Sequence, residues 1–247
     1  MIRKTSLFLL SSAWLSLPTN AFERIPKETN SSNILSHVNI FKKLSKRRTL
    51  HLAHSFGINE TLPNSHRFTL SYRQKLTGNF SAGLITMLAS GSRHNADWVN
   101  PSTGWRWQDT ADRYEFNYGG YVQYKKLLNK RGSLLFKARV HYQINTFNNQ
   151  QDLIFRTGLL SLISSKVSWL TQVDLHIPTN YQRSFLREYW VYSGLGRQMT
   201  KNIFLGLQAS YGVEFWNESK NFFDRTNQLF KNKNQAFRIG PIINFYY

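Results

Sequence analysis

The sequence predicts an all-β fold, a single antiparallel transmembrane β-barrel of about ten strands, within a range of roughly 8–12. Three observations predict it. Apolar and polar residues alternate with a period of two over segments much longer than the usual soluble strand. The connections between segments alternate between tight and long. Aromatic residues gather on the apolar face near the segment ends. The chain has 247 residues and no cysteine, which excludes a disulfide framework and thiolate metal sites. Its 32 Lys and Arg against 13 Asp and Glu make it strongly basic.

Residues 1–21 read as a secretory signal peptide. Arg3 and Lys4 open it, Leu7 to Leu17 form its apolar stretch, and Thr19-Asn20-Ala21 supplies a small-residue cleavage site. Export makes nucleic acid an unsuitable partner despite the charge. Residues 22–47 read as a basic periplasmic N-terminal arm. Within it Ile34, Leu35, Val38, Phe41 and Leu44 recur at helical spacing ahead of Lys42, Lys43, Lys46, Arg47 and Arg48, the pattern of a short amphipathic helix.

Residues 48–247 read as the barrel. Alternating segments fall near 48–58, 66–76, 79–90, 112–125, 133–145, 152–163, 167–177, 187–198, 203–215 and 235–247. In the fifth, Leu134, Phe136, Ala138, Val140, Tyr142 and Ile144 oppose Lys137, Arg139, His141, Gln143 and Asn145. Such lengths suit tilted strands that cross a bilayer. Thr77-Gly78, Asn129–Gly132, Ser164–Lys166 and Thr200–Asn202 read as short periplasmic turns. The stretches 59–65, 91–111, 146–151, 178–186 and 216–234 read as longer extracellular loops. Tyr72, Tyr114, Tyr118, Tyr124, Tyr142, Trp169, Tyr189, Tyr211 and Phe215 share the apolar face, as an interfacial girdle requires. Pro241 sits inside the last segment, where it removes a ladder donor, so a bulge or distorted seam is expected there.

The chain ends with Phe237, Ile239, Ile243, Phe245 and Tyr247 alternating up to a terminal aromatic. This resembles the C-terminal insertion signal of bacterial outer-membrane β-barrel proteins. The resemblance implies an outer-membrane location in a Gram-negative bacterium, contact with outer-membrane lipid and lipopolysaccharide, and a barrel-assembly machinery that reads Ile243, Phe245 and Tyr247.

Opposite the apolar face, the parity turns Arg67, Arg73, Lys75, Arg113, Glu115, Lys137, Arg139, His141, Arg156, Asp174, Glu214 and Arg238 inward, and Glu188 with them if Trp190 points in. Hairpin arithmetic sets Asp174 opposite Arg156, Glu188 near Glu214, and Arg238 beside Glu214. Two contents fit this lining. One is a filled structural barrel of ion pairs and hydrogen bonds. The other is a narrow basic-lined channel for anions or acidic solutes, similar in logic to the small porins for acidic sugar oligomers.

Catalytic chemistry is the contrasting class. Asp174-Leu175-His176 and Asp97 resemble the omptins, outer-membrane proteases that use an Asp-x-His pair and a second Asp pair. That resemblance implies His176 as base, Asp174 as its orienter and Asp97 in the second pair, although Asn95 stands where the pattern has another Asp. His54 beside Ser55 on the apolar face is the corresponding fragment of a lipid-modifying hydrolase. No metal-spaced cluster, phosphate loop or nucleophile elbow is present, so no metal and no cofactor is expected. Trp98, Trp105 and Trp107 fall in one long loop and Trp216 opens another, placed either to pack into the mouth or to stack on a ligand.

Overall fold

The computed structural model describes residues 29–59, 65–91, 93–95, 107–109, 114–130, 132–146, 150–179, 186–217 and 231–247. Residues 1–28, Asp97, Trp98, Trp105 and Arg113 lie outside the described residues.

Eleven strands close into one barrel. In chain order they are β1 (Thr29–Lys43), β2 (Arg48–Asn59), β3 (Ser65–Lys75), β4 (Phe80–Ser90), β7 (Glu115–Leu127), β8 (Leu134–Asn145), β9 (Gln151–Leu162), β10 (Val167–Pro178), β11 (Glu188–Thr200), β12 (Ile203–Asn217) and β13 (Lys231–Tyr246). A separate two-stranded ribbon, β5 (Arg93–Asn95) with β6 (Trp107–Asp109), lies in the connection after β4. From β2 to β13 every wall strand pairs antiparallel with its neighbour in sequence. Closure is necessary because unpaired backbone groups facing hydrocarbon cost several kcal/mol each, by a general estimate of about that size.

The alternation decides the two faces. Leu84, Val122, Leu195 and Leu207 are more than half exposed on the outside, where only lipid suits them. Aromatic contacts mark both rims of this outer face. Phe80, Tyr124 and Phe136 follow one another near the short-turn rim, at centroid spacings of 4.9 and 6.5 Å. Tyr189 and Phe215 meet at 6.4 Å near the opposite rim.

The short turns share one device. Each carries a Ser, Thr or Asn whose side-chain oxygen accepts a backbone N–H and so closes the reversal. Ser45 accepts from Arg47, Thr77 from Phe80, Asn129 from Ser133, Ser164 from Val167 and Thr200 from Ile203. In the β7–β8 turn Gly132 adopts φ +66°, a left-handed conformation that a side chain disfavours.

Two expectations need correction, and a third finds its place. The segment read as a periplasmic arm with a helix forms β1, a wall strand, over Thr29–Lys43. Of the residues at helical spacing, Ile34 and Val38 fall on the outer face of the strand and Leu35 and Phe41 on the inner, and two neighbouring edges offer backbone partners. The barrel is also not wholly antiparallel. An eleventh strand forces one like-directed pair, and β1 runs parallel to β13. At Pro241 the β12–β13 ladder passes without a register shift. The distorted seam expected at this proline falls on the β1 side, where pairing stops at Ile34–Ile239 and resumes at His37–Ile242. Proline has no N–H to donate at that point.

Because β1 and β13 are parallel, β1 begins at the long-loop rim while β13 ends at the short-turn rim.

Candidate functional site: a charged lumen

The inner face is built row by row from the registers. One row runs Gln123, Arg139, Arg156, Asp174, Trp190, Gly212 and Ala236 across β7 to β13. The row nearer the long loops runs Tyr121, His141, Ile154, His176, Glu188, Glu214 and Asn234. The row nearer the short turns holds Lys125, Lys137, Gly158, Gln172, Tyr192, Ser210 and Arg238.

Carboxylates and unpaired cations separate along the barrel axis. Every acid whose side chain is described, namely Glu115, Asp152, Asp174, Glu188 and Glu214, lies in the upper two-thirds, toward the long loops. These acids are partnered. Asp174, with no exposed side-chain surface, accepts from Arg156 Nε at 2.8 and 3.0 Å and from Nη2 at 2.5 Å, and Gln172 donates to it at 3.1 Å. Arg187 reaches Asp152 at 2.9 Å and Glu188 at 3.1 Å. Arg238 lies 3.9 Å from Glu214, to which Asn234 also donates. Asn145 donates to Glu115 at 3.1 Å.

Toward the short turns the cations have no such company. Arg73, Lys125, Lys137 and Arg139 form no ion pair among the described residues. Arg73 donates to Thr49 at 3.1 Å. Arg139 donates to Gln123 at 3.3 Å, and Gln123 in turn donates to Ser81. The Arg139 Nε remains buried without a partner, as does Nε2 of His141 one step above. Lys137 pairs directly with Lys125 across the β7–β8 ladder, with Arg139 one inward step above it on the same strand. A cluster of like charges at this spacing attracts whatever anion enters the space between them.

Two matching joints hold the arginines. An alanine Cβ at Gly83 would lie 2.5 Å from Cζ of Tyr121, so the tyrosine occupies the space a side chain would fill, and Arg139 stacks on its ring at 4.0 Å. A Cβ at Gly212 would lie 2.3 Å from Cδ2 of Trp190, and Arg238 stacks on that indole at 3.8 Å. In each joint the missing side chain makes room for an aromatic ring, and the ring carries a guanidinium. Sequence reading placed the two arginines inward but missed the joints. The signal available was a glycine directly opposite an inward aromatic on the neighbouring strand.

The space beside these groups admits water. Arg156 exposes 32% of its side chain and Arg238 27%, although both project into the barrel from mid-strand.

The candidate catalytic residues do not assemble as the protease resemblance implies. Asp174 faces Arg156 across one ladder, while Nδ1 of His176 meets Oε1 of Glu188 at 2.8 Å across the other. His54 and Ser55 point to opposite faces: Ser55 bonds His37 inside at 2.8 Å, and His54 stacks on Phe68 outside. Among the described residues no group of three or more His, Asp or Glu is placed to hold a metal ion. Ile243, Phe245 and Tyr247 lie on or at the end of β13 with outward parity.

No protein-family model matches the chain, and no curated protein matches it. Among solved structures the chain is similar to the NanC porin in a rhombohedral crystal form, with a TM-score of 0.48 and 14% sequence identity. That similarity covers 72% of this chain and 84% of the other.

Proposed function

We propose that this chain is an outer-membrane channel whose water-filled lumen passes small anionic solutes. The observation that carries the reading is the cluster of Arg73, Lys125, Lys137 and Arg139, none of which has a carboxylate partner among the described residues. A barrel filled only for stability would balance these charges, because uncompensated like charges oppose one another and each loses hydration. Rings of Arg and Lys favour negative solutes in a pore. Solvent-accessible surface on Arg156 and Arg238 supports an open rather than a packed interior.

The direction follows from the loops. Short turns on one rim and long connections on the other are the asymmetry of outer-membrane barrels, with the short side periplasmic. Solutes entering from outside thus pass the paired acids first and meet the free cations in the periplasmic half. Lipopolysaccharide and membrane lipid are the partners of the outer face, and the alternating aromatic end of β13 is the signal for barrel assembly. The charge of the lining sets the class of solute, small and acidic.

The test is planar-bilayer recording of the purified full-length protein. Stable steps with an anion-selective reversal potential are expected, and the double variant K137A/R139A should lose most of that selectivity. Electrical silence, or cation preference in the unaltered protein, would overturn the channel and leave the filled barrel.

A further inference from the structure

We propose that β1 is an exchangeable strand: the wall closes with eleven strands when β1 is inserted, and with ten when β1 leaves and β2 pairs directly with β13. Four observations lead there.

First, β2 and β13 already run antiparallel, because β1 is antiparallel to β2 and parallel to β13. Removing β1 leaves ten strands that close with antiparallel pairs throughout, the commoner and slightly more stable ladder. The inner faces of β2 and β13 are in phase, since Ala53 of β2 and Asn244 of β13 both pair with Asn39.

Second, the β1–β13 seam is the one parallel joint among the described wall strands, and its ladder is broken. Its pairing is interrupted at Leu35 and Ser36, opposite Gly240 and Pro241. The proline has no donor, and the glycine is required because a Cβ there would lie 2.0 Å from the carbonyl oxygen of Leu35.

Third, β1 is poorly matched to two solvents. Leu35 and Phe41 face the lumen, while Ser36 and Lys42 share the outer face with Ile34, Val38 and Ile40. Ser36 satisfies itself there by donating to the carbonyl of Phe56 at 3.3 Å.

Fourth, the same residues have a second use. Ile34, Leu35, Val38, Phe41 and Leu44 recur at helical spacing, so β1 outside the wall retains an apolar stripe that can lie at the membrane surface. The segment therefore has an amphipathic alternative in either position.

The consequence is two lumen widths from one chain, since barrel diameter grows with strand number. This last step rests on the channel reading, whereas the strand exchange itself does not. Hydrogen exchange of the full-length protein in micelles tests the exchange directly. Amides of residues 34–43 should open together, roughly ten-fold or more faster than those of β2 and β13, which stay protected by pairing with each other. Equal protection of β1, β2 and β13, or loss of all three together, would overturn the proposal. The absence of cysteine allows a lock: Asn39 donates to Asn244 across the seam at 2.9 Å, so N39C/N244C is placed to form a bridge when oxidised. The oxidised variant should lose the fast opening and regain it on reduction. In bilayers the unaltered protein should show two conductance levels and the oxidised variant one. A silent bilayer counts against the channel alone, and hydrogen exchange still decides the strand.

Discussion

The indole of Trp190 lies flat on Gly212, so close that a Cβ added to the glycine would sit 2.3 Å from the ring. The pairing ties sequence to lumen electrostatics, because Arg238 rests on the far side of that indole at 3.8 Å and is carried 3.9 Å from Glu214. Gly212→Ala should therefore destabilise the barrel by about 1–3 kcal/mol through overpacking. Gly120→Ala is the control, since its nearest neighbour would be 3.7 Å away. Urea unfolding of the two variants in micelles checks the difference.

Asp174 and Arg156 should behave as a coupled pair. Asp174 is fully enclosed whereas Arg156 keeps a third of its side chain in contact with solvent, so the stranded charge differs between the two single variants. Asp174→Asn leaves a cation that water partly serves. Arg156→Gln leaves an enclosed carboxylate and should cost more. The double variant should fall short of the sum by about 0.5–3 kcal/mol, the usual span for groups in direct contact. A double-mutant cycle by equilibrium unfolding reads it.

Adjacent residues of β4 should tolerate opposite chemistry. Leu84 faces lipid and is 66% exposed, while Ile85 faces the lumen. Leu84→Arg near mid-strand should cost about 2–4 kcal/mol, whereas Ile85→Gln should fold normally. Refolding yield into lipid vesicles distinguishes them, and equal tolerance would refute the assignment of faces.

Anion preference should weaken with salt. The Debye length falls from about 10 Å at 0.1 M to about 3 Å at 1 M, which shortens the reach of Lys137 and Arg139 across the pore. Reversal potentials at a fixed concentration ratio should shrink as both reservoirs are raised. A preference independent of salt would point to selection by width.

Gly240→Ala should loosen β1 without unfolding the other strands. The new methyl would press on the Leu35 carbonyl, a backbone atom that cannot rotate away. Faster exchange confined to residues 34–43 is the expected result.

Most of the wall was legible because alternation reports a solvent boundary, and lipid is an unforgiving one. The facing of Arg156 and Asp174 followed from counting outward from the turn near Ser165, since a tight turn fixes the register of its hairpin. The first strand was illegible for a physical reason. Ile34, Val38 and Phe41 satisfy helical spacing, whereas on the strand Phe41 falls on the opposite face from the other two, and the deciding factor is the pair of open edges on β2 and β13, which lie far away in the chain. The partner of His176 was hidden for a similar reason. Its neighbour at two residues is Asp174, but the cross-strand partner on β11 is Glu188, whose carboxylate meets the imidazole at 2.8 Å. Seeing the aromatic-on-glycine joints required knowing which glycine faces which ring, a long-range property.

An odd strand count also fixes an itinerary. With ten strands the first wall strand would begin at the rim where the last one ends. With β1 in place, Thr29 finishes at the opposite rim from Tyr247. Ten strands can cross the bilayer as five hairpins, but the eleventh must cross singly, carrying unpaired peptide groups across oil unless the half-built wall shelters them. Completing this barrel is therefore a translocation as well as a folding event.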